Sequence, residues 1–152
     1  MIFEKTEDTK FVTQCLTDPA VWRMGSDDGL AGVNPGLFFI QNNNEFWLKS
    51  EYGVLIGRPV NMVTYDVHVA LLPHARGIAV DVCKAAIAWM FENTRSMRLV
   101  ASIPEFNRLA IRLANQVGME FIGNNKKSFM KNGVLVDQLM FGISKEIKTC
   151  HS

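Results

Sequence analysis

Apolar residues recur in two rhythms along this chain. Between Leu37 and Leu72 they fall in short runs, LFFI, EFWL, YGVLIG and MVTYDVHVALL, separated by Asn42-Asn43-Asn44, Ser50-Glu51 and Pro59-Val60-Asn61. Runs of that length between turn-forming clusters predict an antiparallel meander. After Pro73 the period lengthens. Ile78, Val82, Ala86 and Trp89, with Ala79, Cys83, Ile87 and Met90, make a wide apolar face over residues 77–91, which predicts a helix buried against a sheet. Residues 96–103 alternate as a strand, and 105–117 read as a second amphipathic helix ended by Gly118, a residue suited to the left-handed conformation at a helix end. Two further strands face each other across Lys131-Asn132-Gly133-Val134, because Asn-Gly suits a type I′ hairpin turn. Upstream, MIFEK reads as a short strand, and residues 9–24 as one helix or two broken at Asp18-Pro19. The run GSDDGLAGVNPG, residues 25–36, is turn chemistry throughout, and loops of that length in a compact domain are commonly functional or mobile.

The resulting order is strand, helix, several strands, helix, strand, helix, strand, strand. Strand-helix-strand units cross over right-handedly and place parallel neighbours inside an otherwise antiparallel sheet. Ligands favour the carboxyl ends of such strands, where neighbours part. The junctions at residues 72–79 and 102–107 are therefore the places for chemistry. With 152 residues, 48% hydrophobic and 20% charged, and no repeat or linker, one domain spanning 1–152 is expected. A formal charge of +1 gives no field to draw the chain onto nucleic acid. Cys15, Cys83 and Cys150 are far apart and lack metal-ligand spacing, so neither a zinc site nor a disulfide framework follows. The first residues lack a signal-peptide pattern and no run is long enough to span a membrane. A soluble, cytoplasmic protein without membrane partners is expected.

At the first junction, LLPHARGIAVDVC runs from strand through a turn into a helix, with Arg76-Gly77 at the bend. A small residue there lets backbone N–H groups approach an anion, the helix start adds partial positive charge, and Arg76 can add donors. The alternative is a Gly77 that only relieves a tight turn beside a solvated Arg76. The chain resembles the GCN5-related N-acetyltransferase (GNAT) superfamily here. In that family the turn after the fourth strand reads Arg/Gln-x-x-Gly-x-Gly/Ala and binds the pyrophosphate of acetyl coenzyme A. His74-Ala75-Arg76-Gly77-Ile78-Ala79 occupies that slot, with His74 in the place of Arg or Gln. The second junction, IPEFNRLAIRLANQVGMEFIG, resembles the family's Asn-x-x-Ala…Gly-Phe helix and strand, with Asn107, Ala110 and Gly118 at its spacing and Met119 in place of Phe.

The resemblance implies an α+β fold with a mixed, mostly antiparallel sheet, a parallel split at strands 4 and 5, and flanking helices. It implies acetyl-CoA as co-substrate, no metal, and transfer of acetyl to a primary amine, either a small molecule or a protein. Leu71, Leu72, His74, Ala75, Arg76, Gly77, Ile78 and Ala79 would contact the cofactor, with Asn107 and Ala110 beside it. The same texture is similar to acetyltransferase-like proteins of tailed bacteriophages. That likeness opens a second reading: a phage head-assembly or interaction protein that keeps the fold without turnover, acting in the host cytoplasm. A homodimer or a phage assembly partner would then be the protein partner.

Acyl transfer from a thioester needs positioning, a base for the amine and a proton for the thiolate. Many family members use a Tyr seven residues after the motif Asn as the acid, and some a Ser three residues after it. Here these positions are Ala114 and Ala110, so solvent or Ser128 would serve, or catalysis is lost. Period-two alternation on the fourth strand puts Asp66, His68, Ala70 and Leu72 on one face and Tyr65, Val67, Val69 and Leu71 on the other. Asp66 and His68 are the candidate bases; the alternative is a solvated acid and a satisfied, half-buried histidine. Ser102 and Glu105 fit a capping box for the second helix, and Asp137 reads as catalytic or structural. Asp27 and Asp28 would attract a cationic acceptor or merely form an exposed loop tip. Lys126-Lys127 reads as a solvated strand face or a contact to the cofactor's 3′-phosphate, and Trp22, Trp47 and Trp89 as core or groove packing.

Overall fold

A computed structural model describes residues 1–32 and 45–147, so the LFFI run and Cys150 lie outside the described residues. Short polar residues set the helix starts. β1 (Glu4–Thr6) leads into α1 (Thr9–Leu16), where the Asp8 carboxylate accepts the Phe11 N–H at 3.0 Å. Asp18-Pro19 does divide the region: Asp18 caps α2 (Pro19–Gly25) by accepting from Ala20 N–H, with the proline where its missing donor costs nothing. β2 (Phe46–Ser50), β3 (Gly53–Pro59) and β4 (Thr64–Leu71) form the antiparallel meander. α3 (Ala79–Asn93), β5 (Arg98–Pro104) and α4 (Arg108–Gln116) follow, and β6 (Glu120–Lys131) and β7 (Val134–Ser144) close the described chain.

The strands make one sheet in the order β1-β2-β3-β4-β5-β7-β6. Every pairing is antiparallel except β4 with β5, which meet in parallel through Thr64↔Arg98, Tyr65↔Leu99 and Asp66↔Val100 and then part. Each face buries its own cluster. Leu48, Leu55, Leu99 and Phe141 pack with Cys83, Ala86 and Met90 of α3 and Ala114 of α4. Trp47, Val54, Ile56 and Ala70 pack with Val12, Cys15 and Leu16 of α1 on the other side. The alternation on β4 is as the sequence implies, with Val67, Val69 and Leu71 joining the first cluster and Ala70 and Leu72 the second.

Local partners decide three further readings. Glu105 does not belong to a capping box: α4 begins later, and Asn107 caps it by accepting the Ala110 N–H at 3.2 Å. Pro104 still belongs to β5, and Glu105 is instead tied to β7, its N–H donating to the Asp137 carbonyl at 2.9 Å and its carboxylate accepting the Asp137 N–H at 3.3 Å. Asp137 itself is structural. Its carboxylate accepts the Lys127 N–H at 2.8 Å and the Asn124 amide at 2.9 Å, holding a bulge in β6 where Lys127 has φ 52°. Asp27 and Asp28 are not idle charges at a loop tip. Asp27 accepts from Gly29 N–H, and Asp28 accepts both Asn132 N–H at 2.7 Å and Gly133 N–H at 2.8 Å. Those two residues have φ 52° and 74°, the signature of the expected type I′ turn. With Lys131 donating to the Ser26 carbonyl at 2.7 Å, the hairpin tip is bolted to the chain that follows α2.

The turn between β2 and β3 fixes the segment after β4. Leu72 N–H donates to the Tyr52 carbonyl at 2.8 Å, and His74 Nε2 lies 2.9 Å from the Glu51 carbonyl. Gly53 completes this turn at φ 147°, and a Cβ there would drive into the Ala70 carbonyl on β4. Gly53→Ala is expected to cost about 2 kcal/mol or more, because the clash is with backbone. Thermal unfolding should show the midpoint lowered by about 4–8 °C; an unchanged midpoint contradicts this account of the turn.

Candidate functional site

Beyond their third pair, β4 and β5 are held only from behind. β3 pairs with β4 as far as Leu71, and β7 pairs with β5 as far as Pro104. The facing edges of Val67–Leu71 and Ala101–Pro104 therefore border a cleft, and two cavities open from it on opposite faces of the sheet. One, about 260 Å³, lies between the strands and the helices α3 and α4, with Val69, Ile87, Ile103, Ala110, Leu113 and Ala114 among its walls. The other, about 370 Å³, lies on the side of α1 and α2, walled by Val21, Trp22, Leu30, Ile56, Arg58 and Asp66 among others. Gly25, Val67, His68, Ser102 and Gln138 line both, so these five residues mark the passage between them.

Three of the five are polar, and none of their side chains has a hydrogen-bond partner among the described residues. That sets them apart from Ser26, Asn107 and Arg58. Ser26 donates to the Trp22 carbonyl at 2.6 Å, the Asn107 carbonyl oxygen caps α4, and Arg58 Nε donates to Glu45 Oε2 at 2.9 Å. His68 is exposed to the cleft, yet much of its surroundings is protein. That desolvation, and secondarily the Arg58 charge, hold the imidazole below its ordinary pKa. At neutral pH it is an uncharged proton acceptor. A methyl group built on Gly25 would sit 3.7 Å from His68 Cε1 and 3.9 Å from Nε2, so the absent side chain leaves the ring edge accessible. Asp66 lies two residues away on the same face, across from Arg58 on β3. Burial raises its carboxyl pKa, and Arg58 opposes that rise.

Past Leu71 the chain turns from β4 into α3, whose Cys83 and Ile87 line the first cavity. Ala75, Arg76 and Ile78 donate their N–H groups within this turn, to Leu72, Pro73 and Ala75 carbonyls, and Leu72 donates to Tyr52. The amides of Gly77, Ala79, Val80 and Asp81 have no acceptor among the described residues, because the first intrahelical donor is Val82 and no side chain caps the helix. Gly77 adopts φ 88°, with nothing within 4 Å of the place a Cβ would take. The bend is open, and its free amides sit at the positive end of a 15-residue helix. Such a site fits a phosphate-bearing ligand.

The residues singled out in the sequence are thus distributed unevenly. His68 stands at the passage, Asp66 in the second cavity, and Asn107 and Ala110 on the wall of the first. Gly77 and Ala79 offer free amides, whereas the amides of Leu72, Ala75, Arg76 and Ile78 are engaged. The His74 ring is turned toward Glu51 and lies 5.6 Å from the Tyr52 ring. Leu71 ends β4 and packs into the core. Ser128 is exposed on β6, donates to the Asn125 carbonyl at 2.7 Å, and lines neither cavity. Gly25 and Ser102 open segments marked in the sequence, residues 25–36 and 102–107, but neither has a site role there, and Gln138 is not singled out; each becomes a site residue only through contacts between distant segments.

No family model matches the sequence, and no curated protein matches it. Solved structures do. The chain superimposes on a spermidine N-acetyltransferase from Vibrio cholerae, crystallised with CoA and spermine, with a TM-score of 0.76 at 16% identity over 94% of both chains. A protein from Streptococcus mutans UA159 gives 0.75 at 14% identity, covering 96% of this chain and 100% of that one. An acetyltransferase of the GNAT family from Bacillus anthracis gives 0.57 at 18% identity over 66% of each chain. The mixed sheet, with seven strands and one parallel pair among the described residues, and its flanking helices have the GNAT fold.

Proposed function

We propose that this protein transfers an acetyl group from acetyl coenzyme A to a primary amine. The observation that carries the reading is the passage at His68, where a cavity walled by α3 and α4 meets a second cavity through residues common to both. CoA in the neighbouring V. cholerae structure, bound together with spermine, supports the pairing of a thioester with an amine on this fold. The diphosphate would lie against the amides of Gly77, Ala79, Val80 and Asp81. The pantetheine arm would run along the unpaired β4 edge, whose backbone groups need partners, past Ala110 and Ala114, to bring the thioester to the passage.

In the reaction the amine nitrogen adds to the carbonyl carbon, and the carbon–sulfur bond breaks. Neutral His68 takes the proton from nitrogen. The Ser102 hydroxyl and the Gln138 amide have free donors at the passage and would bind the oxygen as it gains charge. Ala110 and Ala114 leave α4 without an acid, so the thiolate takes its proton from water in the open cleft. The same two alanines favour a second reading, a binding or phage assembly protein that keeps the fold without turnover.

Isothermal titration and a free-thiol assay separate these. Acetyl coenzyme A should bind, with coenzyme A competing, and an amine panel should give repeated thiol release. Binding without release supports the second reading, and no binding at millimolar concentration overturns the enzyme reading. His68→Gln should lower kcat by about 10²- to 10⁴-fold while leaving coenzyme A affinity within a few fold.

The kcat/KM profile should rise with pH through a value below 6.5, because His68 is held under its ordinary pKa and must be neutral to act. Above that value the limb is flat until the amine itself titrates. An acidic limb unchanged in His68→Gln would remove His68 from the role of base. Gly25→Leu should leave the melting temperature close to wild type and still cut turnover, since the new side chain extends toward the His68 edge from a residue with ordinary backbone.

A further inference from the structure

The second cavity carries charge of both signs on neighbouring strands. Arg58 and Asp66 are register partners on β3 and β4, and Ile56 and His68 are the next pair on that face. All four line the cavity. Passing from His68 to Asp66 advances two residues, about 7 Å along the strand. The Arg58 guanidinium is fixed through its Nε by Glu45, whose other oxygen accepts from Trp47 Nε1 at 2.9 Å. Its two terminal nitrogens have no hydrogen-bond partner among the described residues, and the side chain is 58% exposed. A planar fork held at one edge and open at the other is suited to a carboxylate. Asp66 makes no hydrogen bond or ion pair among the described residues, and its half-buried carboxylate gains from a cation brought beside it.

We propose that the acceptor is a free diamino acid: its side-chain amine reacts at His68, its α-ammonium faces Asp66 and its carboxylate docks on the open edge of Arg58. This rests on the acetyltransferase reading above and deepens it. The distance from His68 to Asp66 matches about the span of the four-carbon stem of lysine, and Val21, Trp22 and Ile56 offer apolar surface to that stem. A polyamine fits less well, because it would bring a second cation to Arg58 with no carboxylate to meet it. A lysine inside a peptide lacks the free ammonium and carboxylate on which the two charged residues act.

The test compares lysine, ornithine, 1,5-diaminopentane, spermidine and a short peptide with one internal lysine as acceptors, with acetyl coenzyme A and thiol detection. Lysine and 1,5-diaminopentane differ only in the carboxylate, so their kcat/KM ratio reads the Arg58 contact directly. Wild type should prefer lysine or ornithine, with acetyl on the side-chain nitrogen by mass spectrometry of the product. Arg58→Met should lower kcat/KM for the diamino acid by about 10- to 100-fold, with a much smaller change for 1,5-diaminopentane, and Arg58→Lys should recover part of the loss. Turnover of 1,5-diaminopentane by the variant also reports that it has folded. Equal or better use of diamines, polyamines or the peptide by wild type overturns the proposal and leaves acetyl transfer intact, as does acetylation of the α-nitrogen. Loss of both activities in Arg58→Met and Arg58→Lys alike overturns the selective role of Arg58. Absence of thiol release with every acceptor overturns this proposal and the enzyme reading together.

Discussion

The parting of β4 and β5 after three residue pairs is the constraint from which the site follows. Each strand is backed along its length by an antiparallel neighbour, so neither can swing across to close the gap. The exposed edges would be costly if sealed in an apolar interior, since unpaired backbone groups lose their hydration without replacement. The structure meets this by leaving the gap open to both faces. The two cavities are consequences of one broken ladder, and the residues common to both are those on the margins of the break.

Because β4 is one wall of the gap, its two-residue period divides the chemistry. Val67 and Val69 point to the side of α3 and α4, where Ala110 and Ala114 keep the surface small and apolar; Asp66 shares the opposite side with Trp22 and Arg58. A slip of one residue in the β3–β4 register would exchange these sets and bury charge in the larger core. The register therefore serves stability and site together. Gly53 guards it by admitting the Ala70 carbonyl at a place where any side chain would intrude. The pinning of the hairpin tip by Asp28 and Lys131 does similar work at the far end, holding the chain after α2, with Ser26 and Leu30, against the second cavity.

What could be read from the sequence is what depends on near neighbours. The break at Asp18-Pro19, the Asn-Gly turn, the alternation of β4 and the glycine bend before α3 are each set by residues a few positions apart, and all four stand in the structure. The failures involve partners separated along the chain or rival donors for one acceptor. Glu105 has the right spacing for a cap, but Asn107 satisfies the same helix end, and the pairing of β5 with β7 takes Glu105 away. Asp28 looks like a free charge until the hairpin turn, 104 and 105 positions later, presents two amides to it. Ser102 stands out only as part of a helix cap and Gln138 not at all; what marks them, once β5 and β7 are seen together, is that neither side chain has a partner among the described residues.

The charges around His68 also bear on the proposed reaction as a balance. A carboxylate near the acceptor favours the ammonium form, which cannot attack, whereas Arg58 disfavours it and helps keep the imidazole neutral. Asp66 placed directly at the reacting nitrogen would hold it charged. Placed a strand repeat away, it can bind a second cation of the same molecule while His68, desolvated and uncharged, receives the proton from the first. The two-residue separation on β4 thus lets one strand attract a positively charged molecule and still discharge one of its amines. An acceptor with a single amine would lose one of these effects: drawn to Asp66 it stays protonated, and held at His68 it forgoes the attraction.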